Sequence, residues 1–272
     1  MRWHSPLTDT ASQWLVFSSN PNRYLRLAVA GQQRVFAHAG RCVVVESLES
    51  ELDRARSLSV DDLADAIKSI GFECTRCGAC CTASSCDSED VSQDNESTEP
   101  HTATVFPDEI REIQQSERDE WRDIARPMPY GLSPDTGEGE TFEWALQTDA
   151  CGDCTFYEEP TDGTGGCTIY DNRPLICHTY PFSVALGGTT QPMGEPVDSK
   201  GLVRAHECEG LGRDIDHEAA KELAATLKKR AIRELEEAVG VRDTYEPVQD
   251  EPVIVYDSEG PKRPDGSKIE TE

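Results

Sequence analysis

The stretch Cys74-Thr-Arg-Cys77-Gly-Ala-Cys80-Cys81 contains two consecutive C-x-x-C steps and ends in two adjacent cysteines. Successive C-x-x-C steps place thiolates where tight turns can aim them at one metal ion, and Gly78 relieves the backbone at the tightest point. Buried thiols that served only as small apolar side chains would not need this spacing. The stretch therefore predicts a metal site, and we expect short strands and irregular loops to wrap around it.

A second group of cysteines follows further along the chain. Cys151 and Cys154 form another C-x-x-C step, and a glycine-rich bend leads to Cys167. The predicted ligands are Cys74, Cys77, Cys80, Cys81, Cys151, Cys154, Cys167, Cys177 and Cys208. These nine cysteines are one more than two four-cysteine sites need. Cys86, which falls in a polar stretch, is the weakest further candidate.

The type of metal is left open by the spacing. The first three cysteines of the motif also fit the start of a ferredoxin run, but the fourth ferredoxin cysteine would fall at Ser84, which disfavours a plain ferredoxin. Cysteine serves both zinc and iron, so the sequence predicts either zinc or an iron–sulfur cluster.

The charge balance is strongly acidic. The 272 residues include 52 acidic and 26 basic ones, a formal net charge of −26, and only 36% are hydrophobic. This composition has two interpretations, disorder or adaptation to high salt, where counterions screen the self-repulsion. Because the acids are spread among helix-like segments, the sequence favours a halophilic protein. The same charge predicts no binding to nucleic acid or to an anionic membrane.

The apolar segments are short. None reaches the roughly 20 residues needed to cross a bilayer. The run Trp14–Phe17 is shorter than the apolar core of a signal peptide, which has about 7–15 residues. We therefore expect a cytoplasmic location, where clustered cysteines bind metal more often than they form disulfides.

Residues 1–45 differ in charge from the remainder. They carry five arginines and one acid, Asp9, for a net charge of +4, whereas residues 46–272 carry 21 basic and 51 acidic groups, for a net charge of −30. One interpretation is a basic arm with its own partner. The favoured interpretation is a start assigned too far upstream, with the true start near Val45. Cys42 is left out of the site for this reason.

Helical periodicity begins after Glu46. The pattern predicts a short helix at 48–55, a second that Ser59 caps and Gly71 ends, and a third that begins at Pro107. The longest predicted helix covers 214–239, with Gly240 as its C-cap. Short strands are predicted at 102–106, 142–146 and 253–256.

The predicted fold class is α+β. We expect a small, irregular, cysteine-rich metal-binding core with short strands and about three packed helices, from 46–70, 107–122 and 214–239. The chain would then divide into the extension at 1–45, the cysteine-cluster domain at 46–240 and an acidic flexible tail at 241–272.

The cysteine pattern resembles a known family. Phe72–Cys81, followed by Cys167-Thr-Ile-Tyr-Asp-Asn-Arg-Pro-Leu-Ile-Cys177-His-Thr-Tyr-Pro-Phe182, is similar to the YkgJ-type cysteine-cluster proteins, which have the CxxCxxCC zinc- or iron-chelating domain. The resemblance covers about residues 70–212. Arginine is usual where this chain has His178, which is either an extra ligand or a surface substitution. Cys151 is additional to the set that the family shares.

Arg173 lies between two predicted ligands within this pattern. Its guanidinium either offsets the negative charge of the thiolates or binds loop carbonyls, and the sequence favours neither interpretation.

The resemblance implies metal binding without defining a reaction. It extends distantly to flagellin lysine N-methylase, which uses S-adenosylmethionine, but this sequence has no glycine-rich motif of its own for that cofactor. Two functions stay open: a metal-binding protein with an interaction or maturation role and another protein as partner, or an Fe–S-dependent enzyme such as a protein lysine N-methylase or an oxidoreductase. A coordination position left open would favour the enzyme.

Overall fold

The computed structural model of the chain describes residues 47–83, 101–117, 120–158, 165–186 and 196–270, together with the backbone of four short strands that precede them. The strands are β1 (Trp14–Phe17), β2 (Tyr24–Leu27), β3 (Phe36–His38), β4 (Arg41–Val43), β5 (Thr104–Val105), β6 (Ala125–Pro127), β7 (Gly139–Thr141), β8 (Trp144–Leu146), β9 (Tyr157–Glu158), β10 (Gly166–Cys167), β11 (Phe182–Val184), β12 (Val203–Ala205), β13 (Val253–Asp257) and β14 (Gly260–Lys262). The helices of the described residues are α1 (Leu48–Ser57), α2 (Val60–Ile70), α3 (Pro107–Glu117), α4 (Trp121–Ile124), α5 (Leu175–Thr179) and α6 (His217–Thr244). The predicted α+β class is confirmed, with short sheets of two or three strands.

Two hairpins lie in the N-terminal segment. β1 pairs with β2, and β3 pairs with β4, both antiparallel. Cys42 lies opposite Ala37 in the second hairpin. The interpretation of residues 1–45 as an upstream extension or a basic arm stays a prediction.

Helices α1, α2 and α6 pack on one another and on the β11–β12 hairpin to form the first core. The Ser59 hydroxyl accepts a hydrogen bond from the backbone N–H of Asp62 at 3.2 Å, which confirms it as the N-cap of α2. Leu63, Ile67 and Leu227 are fully buried at the helix contacts. Burial of each such side chain stabilises the fold by about 1.5–3 kcal/mol.

The second core surrounds Trp144 in the three-stranded antiparallel sheet β5-β8-β6. Helices α3 and α4 precede the sheet strands β6 and β8 and cover this core with Ile110, Ile113 and Ile124. The rings of Trp121 and Trp144 meet edge to face with their centroids 5.1 Å apart. This core matters for function because several of the predicted metal ligands pack against it.

The C-terminal segment is structured, contrary to the predicted flexible tail. β13 and β14 form an antiparallel hairpin, and β13 also pairs with β7 in parallel. Tyr256 and Lys262 of this hairpin are almost completely buried. The strand predicted at 253–256 is present as β13, and it buries its apolar side chains against the second core and a small third cluster.

Helix α6 is longer than predicted and runs through Gly240 to Thr244. The predicted C-cap at Gly240 is therefore wrong. A Cβ atom at Gly240 would lie 2.5 Å from Cβ of Ser258, so this glycine lets the C-terminal hairpin approach the helix closely. Among the described residues, no helix combines the length and the apolar character that a membrane span requires.

Candidate metal centre

The CxxCxxCC loop is fastened at its start to the segment around Cys208. Phe72 and Leu211 form an antiparallel bridge, and the backbone N–H of Glu73 donates to the carbonyl of Gly210 at 3.0 Å. A Cβ atom at Gly210 would lie 2.2 Å from the carbonyl oxygen of Glu73, so glycine is required for this approach. This bridge and this hydrogen bond bring Cys74 next to Cys208, although the two cysteines are distant in sequence.

Gly78 forms the turn that reverses the loop. Its φ is +79°, in the region that favours glycine, and its carbonyl accepts the backbone N–H of Cys81 at 2.7 Å and that of Thr82 at 3.1 Å. A Cβ atom here would lie 2.2 Å from the hydroxyl oxygen of Tyr157. The predicted role of Gly78 is thus confirmed, and the turn also packs against Tyr157.

Gly78→Ala is expected to destabilise the loop and weaken metal binding. A left-handed alanine costs about 1–2 kcal/mol, and the overlap with Tyr157 adds to that cost. The measurement is the thermal midpoint of the metal-loaded protein together with its zinc affinity.

Gly137→Ala is the matched control for this substitution. Gly137 has a similar φ of +71°, but a Cβ atom there meets nothing within 4 Å. Equal losses in the two variants would show that the Tyr157 contact has no role.

Cys167 lies in β10, which pairs with β9, and Cys154 lies just before β9, where it forms an antiparallel bridge with Thr148. The backbone N–H of Cys154 donates to the carbonyl of Cys81 at 2.8 Å, which joins this hairpin to the end of the CxxCxxCC loop. Cys167 lies opposite Tyr157 in the β9–β10 register. The N–H of Gly165 donates to the carbonyl of Arg76 at 3.1 Å, so the loop is held from both sides.

Cys177 lies on the short helix α5, whose position is fixed by the partly buried Glu109 and the buried Arg230. A carboxylate oxygen of Glu109 accepts the N–H of Leu175, the first residue of α5, at 2.8 Å, and burial raises the pKa of Glu109 to about 7. Arg230, 1% exposed, donates to the Thr179 hydroxyl at 3.0 Å and to the carbonyl of Phe182 at 3.1 Å. The helix that carries Cys177 is therefore tied to α3 and α6.

Eight of the nine predicted ligands are free thiols in the part of the chain that the structure describes. Three of them are exposed, Cys154 is buried, and the others are partly buried; the eight are Cys74, Cys77, Cys80, Cys81, Cys154, Cys167, Cys177 and Cys208. Cys151 is exposed and disulfide-bonded in this structure, and its predicted role as a ligand stays a prediction. Cys86 and the side chain of Cys42 lie outside the described residues.

Three of the thiols share a local hydrogen-bond pattern. The backbone N–H of Gly210 donates to Sγ of Cys208 at 3.4 Å, and the N–H groups of Phe156 and Ile169 are directed in the same way at the sulfurs two residues before them, Cys154 and Cys167. Burial raises the pKa of all three thiols, to about 11 for Cys154, and these N–H groups oppose the rise. Donors aimed at sulfur stabilise the thiolate, which is the form that binds metal.

The thiols also act on one another. Burial raises the pKa of Cys177, and the neighbouring Cys154, Cys80 and Cys167 raise it further. Sγ of Cys80 and Sγ of Cys81 are 3.7 Å apart, and the hydrogen bond between them lowers the pKa of Cys80 to about 7 while it raises that of Cys81. So many neighbouring thiols cannot all ionise without a cation, and a thiophilic metal ion supplies that charge.

The thiols are not arranged as a finished site. No three cysteine, histidine, aspartate or glutamate side chains of the described segments converge closely enough to hold a metal ion as they stand. The donor set nonetheless fits zinc or an iron–sulfur cluster, since both take thiolate ligands. Binding would therefore require these side chains to rotate towards the ion.

Arg173 combines the two roles that the sequence left open. Its Nε donates to the carbonyl of Tyr170 at 3.0 Å, and its guanidinium carbon lies 3.8 Å from the centroid of the Tyr170 ring. Burial raises the pKa of Cys167 and Cys177, and the charge of Arg173 opposes both rises. Arg173 is thus held by a loop carbonyl while it compensates thiolate charge.

The imidazole of His178 has two cations near it. Burial lowers the pKa of its imidazole, and the charges of Arg173 and Lys229 lower it further. Two neighbouring cations disfavour a further positive ion beside this ring. Its role as a ligand stays a prediction.

Two residues that position the site were not recognised from the sequence. Tyr157 fills the space beside Gly78 and Gly165, and Glu109 accepts hydrogen bonds from Phe106 and Leu175. The order Phe-Pro-Asp-Glu indicated the local contact, in which the Glu109 side chain binds the N–H of Phe106 three residues earlier. No sequence pattern indicated the contact with Leu175, because Leu175 is 66 residues from Glu109 along the chain.

The comparisons with known proteins bear on this cysteine-rich part of the chain. The CxxCxxCC family model, described as "Putative zinc- or iron-chelating domain", matches residues 73–209. Neither a curated protein nor a solved structure matches the chain. The matched segment includes all eight free thiols and is half of the chain. The chain therefore belongs to the CxxCxxCC family of zinc- or iron-chelating domains.

Proposed function

We propose that the chain is a metal-binding protein whose eight free cysteines hold zinc or an iron–sulfur cluster, and that this metal organises the second core for contact with a partner protein. The observation that carries the proposal is the repeated N–H to sulfur arrangement at Cys154, Cys167 and Cys208. Three separate segments each direct a backbone donor at a cysteine sulfur, and each donor opposes the rise in thiol pKa that burial causes.

The same donors argue against a set of buried thiols with a packing role alone. A thiol that only filled space would need no N–H group directed at its sulfur. The accumulated thiolate charge is offset in part by Arg173, and a bound cation would offset the remainder. The enzyme interpretation, a lysine N-methylase or an oxidoreductase, stays a prediction.

The test is the metal content of protein purified without air and in high salt. We expect zinc in colourless protein, or iron with labile sulfide and a visible absorption band. A zinc result supports the interaction role, whereas an iron–sulfur result directs further work to redox or methyl-transfer assays. Protein that contains neither metal after anaerobic purification, and that fails to take up added Zn²⁺, would overturn the proposal.

A further inference from the structure

We infer that the eight free thiols form two separate four-cysteine metal sites, an inner one from Cys81, Cys154, Cys167 and Cys177 and an outer one from Cys74, Cys77, Cys80 and Cys208. This inference rests on the proposed function and assigns its ligands. The division places the adjacent residues Cys80 and Cys81 in different sites.

The inner group is defined by its packing. Cys154 belongs to the second core, and Cys81, Cys167 and Cys177 pack against that same core. The hydrogen bond from the N–H of Cys154 to the carbonyl of Cys81, 2.8 Å long, fixes two of these four residues side by side. An ion held here would be enclosed by apolar side chains, as in a closed structural site.

The outer group is defined by the backbone ladder at the start of the loop. The bridge between Phe72 and Leu211 and the bond from Glu73 to Gly210 bring Cys208 next to the first C-x-x-C step. Cys74, Cys77 and Cys80 all lie near Cys208, and Cys80 also lies near Cys154, Cys167 and Cys177 of the inner group. The hydroxyl of Tyr180 donates to the carbonyl of Glu207 and fastens the same segment to the end of α5.

The two groups differ in exposure. Cys74, Cys77 and Cys80 are exposed, whereas no free cysteine assigned to the inner group is exposed. An outer ion would therefore exchange with solution more readily than an inner ion. The assignment also uses every free thiol of the described residues, four for each ion, which is the coordination number of structural zinc.

Cys80 is the residue that decides between this arrangement and a competing one. Its sulfur lies 3.7 Å from that of Cys81. Two sulfurs on one tetrahedral zinc, with Zn–S distances of about 2.3 Å, would lie roughly 3.8 Å apart. Cys80 and Cys81 could thus share a single ion, in which case removal of either thiol would disturb the same site.

The experiment compares Cys80→Ser with Cys81→Ser in the full chain. Metal content is measured after purification, and the reduced apoprotein is titrated with Co²⁺, whose thiolate charge-transfer band reports each site. We expect each variant to lose half of the wild-type metal, with Cys74→Ser matching Cys80→Ser and Cys177→Ser matching Cys81→Ser. Cys80→Ser should keep the inner ion and Cys81→Ser the outer ion. The ion that remains in Cys80→Ser should therefore resist chelators more strongly than the ion that remains in Cys81→Ser.

The variant Cys74→Ser is the control for misfolding. Cys74 is exposed, so Cys74→Ser should fold and keep the inner ion. A wild-type protein that takes up only one ion, or a pair of adjacent variants that lose the same site, would overturn the two-site inference while the proposed metal binding stood. Failure of the wild type to bind any metal would instead overturn the proposed function.

Discussion

Removal of the metal is expected to loosen the second core much more than the first. The four thiols of the inner group lie in or against the second core, so loss of the cation that would join them removes cross-links within that core. The first core, by contrast, is built from the apolar side chains of α1, α2, α6 and the β11–β12 hairpin and includes none of the eight free cysteines. The loss of order should therefore be uneven.

The size of this effect follows from the energy of structural metal sites. Zinc contributes about 10–16 kcal/mol to the folding of zinc-finger peptides. This chain also buries apolar side chains around Trp144, so a smaller loss of several kcal/mol is expected. Since 1 kcal/mol corresponds to roughly 2–4 °C in a domain of 150–250 residues, the thermal midpoint should fall by roughly 10 °C or more.

Hydrogen exchange of the holoprotein and the apoprotein measures this prediction segment by segment. Amides of 144–146 and 166–177 should lose protection on chelation, whereas amides of α2 and α6 should keep most of theirs. Chelator that has been saturated with zinc beforehand is the control. Equal loss of protection in both cores would contradict the separation of the thiols from the first core.

Features set by neighbouring residues could be predicted from the sequence, and features set by distant residues could not. Ser59 and Gly71 were correctly assigned as the ends of α2 because a cap depends on the adjacent backbone. Gly240 was misassigned as a C-cap because its lack of a side chain makes room for Ser258. The two residues are in contact only in the folded chain, so the local sequence carries no sign of this role.

In the candidate site, too, features set by neighbouring residues could be predicted and features set by distant residues could not. The spacing of Cys74, Cys77 and Cys80 predicted thiolate chemistry without the structure. The spacing could not show that Cys208 joins this end of the loop, since that depends on the bridge between Phe72 and Leu211. Nor could it show that Cys151 is oxidised, because disulfide connectivity cannot be deduced from sequence alone.

Asp257→Ala is expected to cost about 3 kcal/mol of folding free energy, the low end of the range for a broken buried pair, because it removes the buried partner of the Lys262 ammonium and leaves that ammonium with Glu259 alone. Asp257 is 1% exposed and accepts hydrogen bonds from Lys262 Nζ at 2.7 Å and from the Trp144 indole N–H at 2.8 Å. Without the carboxylate, the ammonium of Lys262 would keep only Glu259, at 2.8 Å, and the indole N–H would lose its acceptor. The measurement is urea unfolding at constant metal loading.

The pair of Arg122 and Asp265 is the matched surface control. Their side chains are 65% and 41% exposed, and their charged atoms are 3.5 Å apart. Arg122→Ala, which leaves the hydrogen bonds from Ser267 to Asp265 intact, should cost no more than about 1 kcal/mol, and less in high salt, since exposed pairs are weak and screened. The loss from Asp257→Ala should change little with salt because the pair is shielded from solvent.

The double variant Asp257→Ala/Lys262→Met separates the charge from the contact. If the cost of Asp257→Ala comes mainly from the stranded ammonium, replacement of Lys262 by methionine should recover part of the lost stability. Lys262 also lies 5.4 Å from the centroid of the Trp121 ring, and methionine can keep this apolar contact through its thioether. A double variant less stable than Asp257→Ala would show that Lys262 stabilises the hairpin mainly through Glu259 and Trp121. The acidic C-terminal segment would then depend on its lysine for folding even without the buried carboxylate.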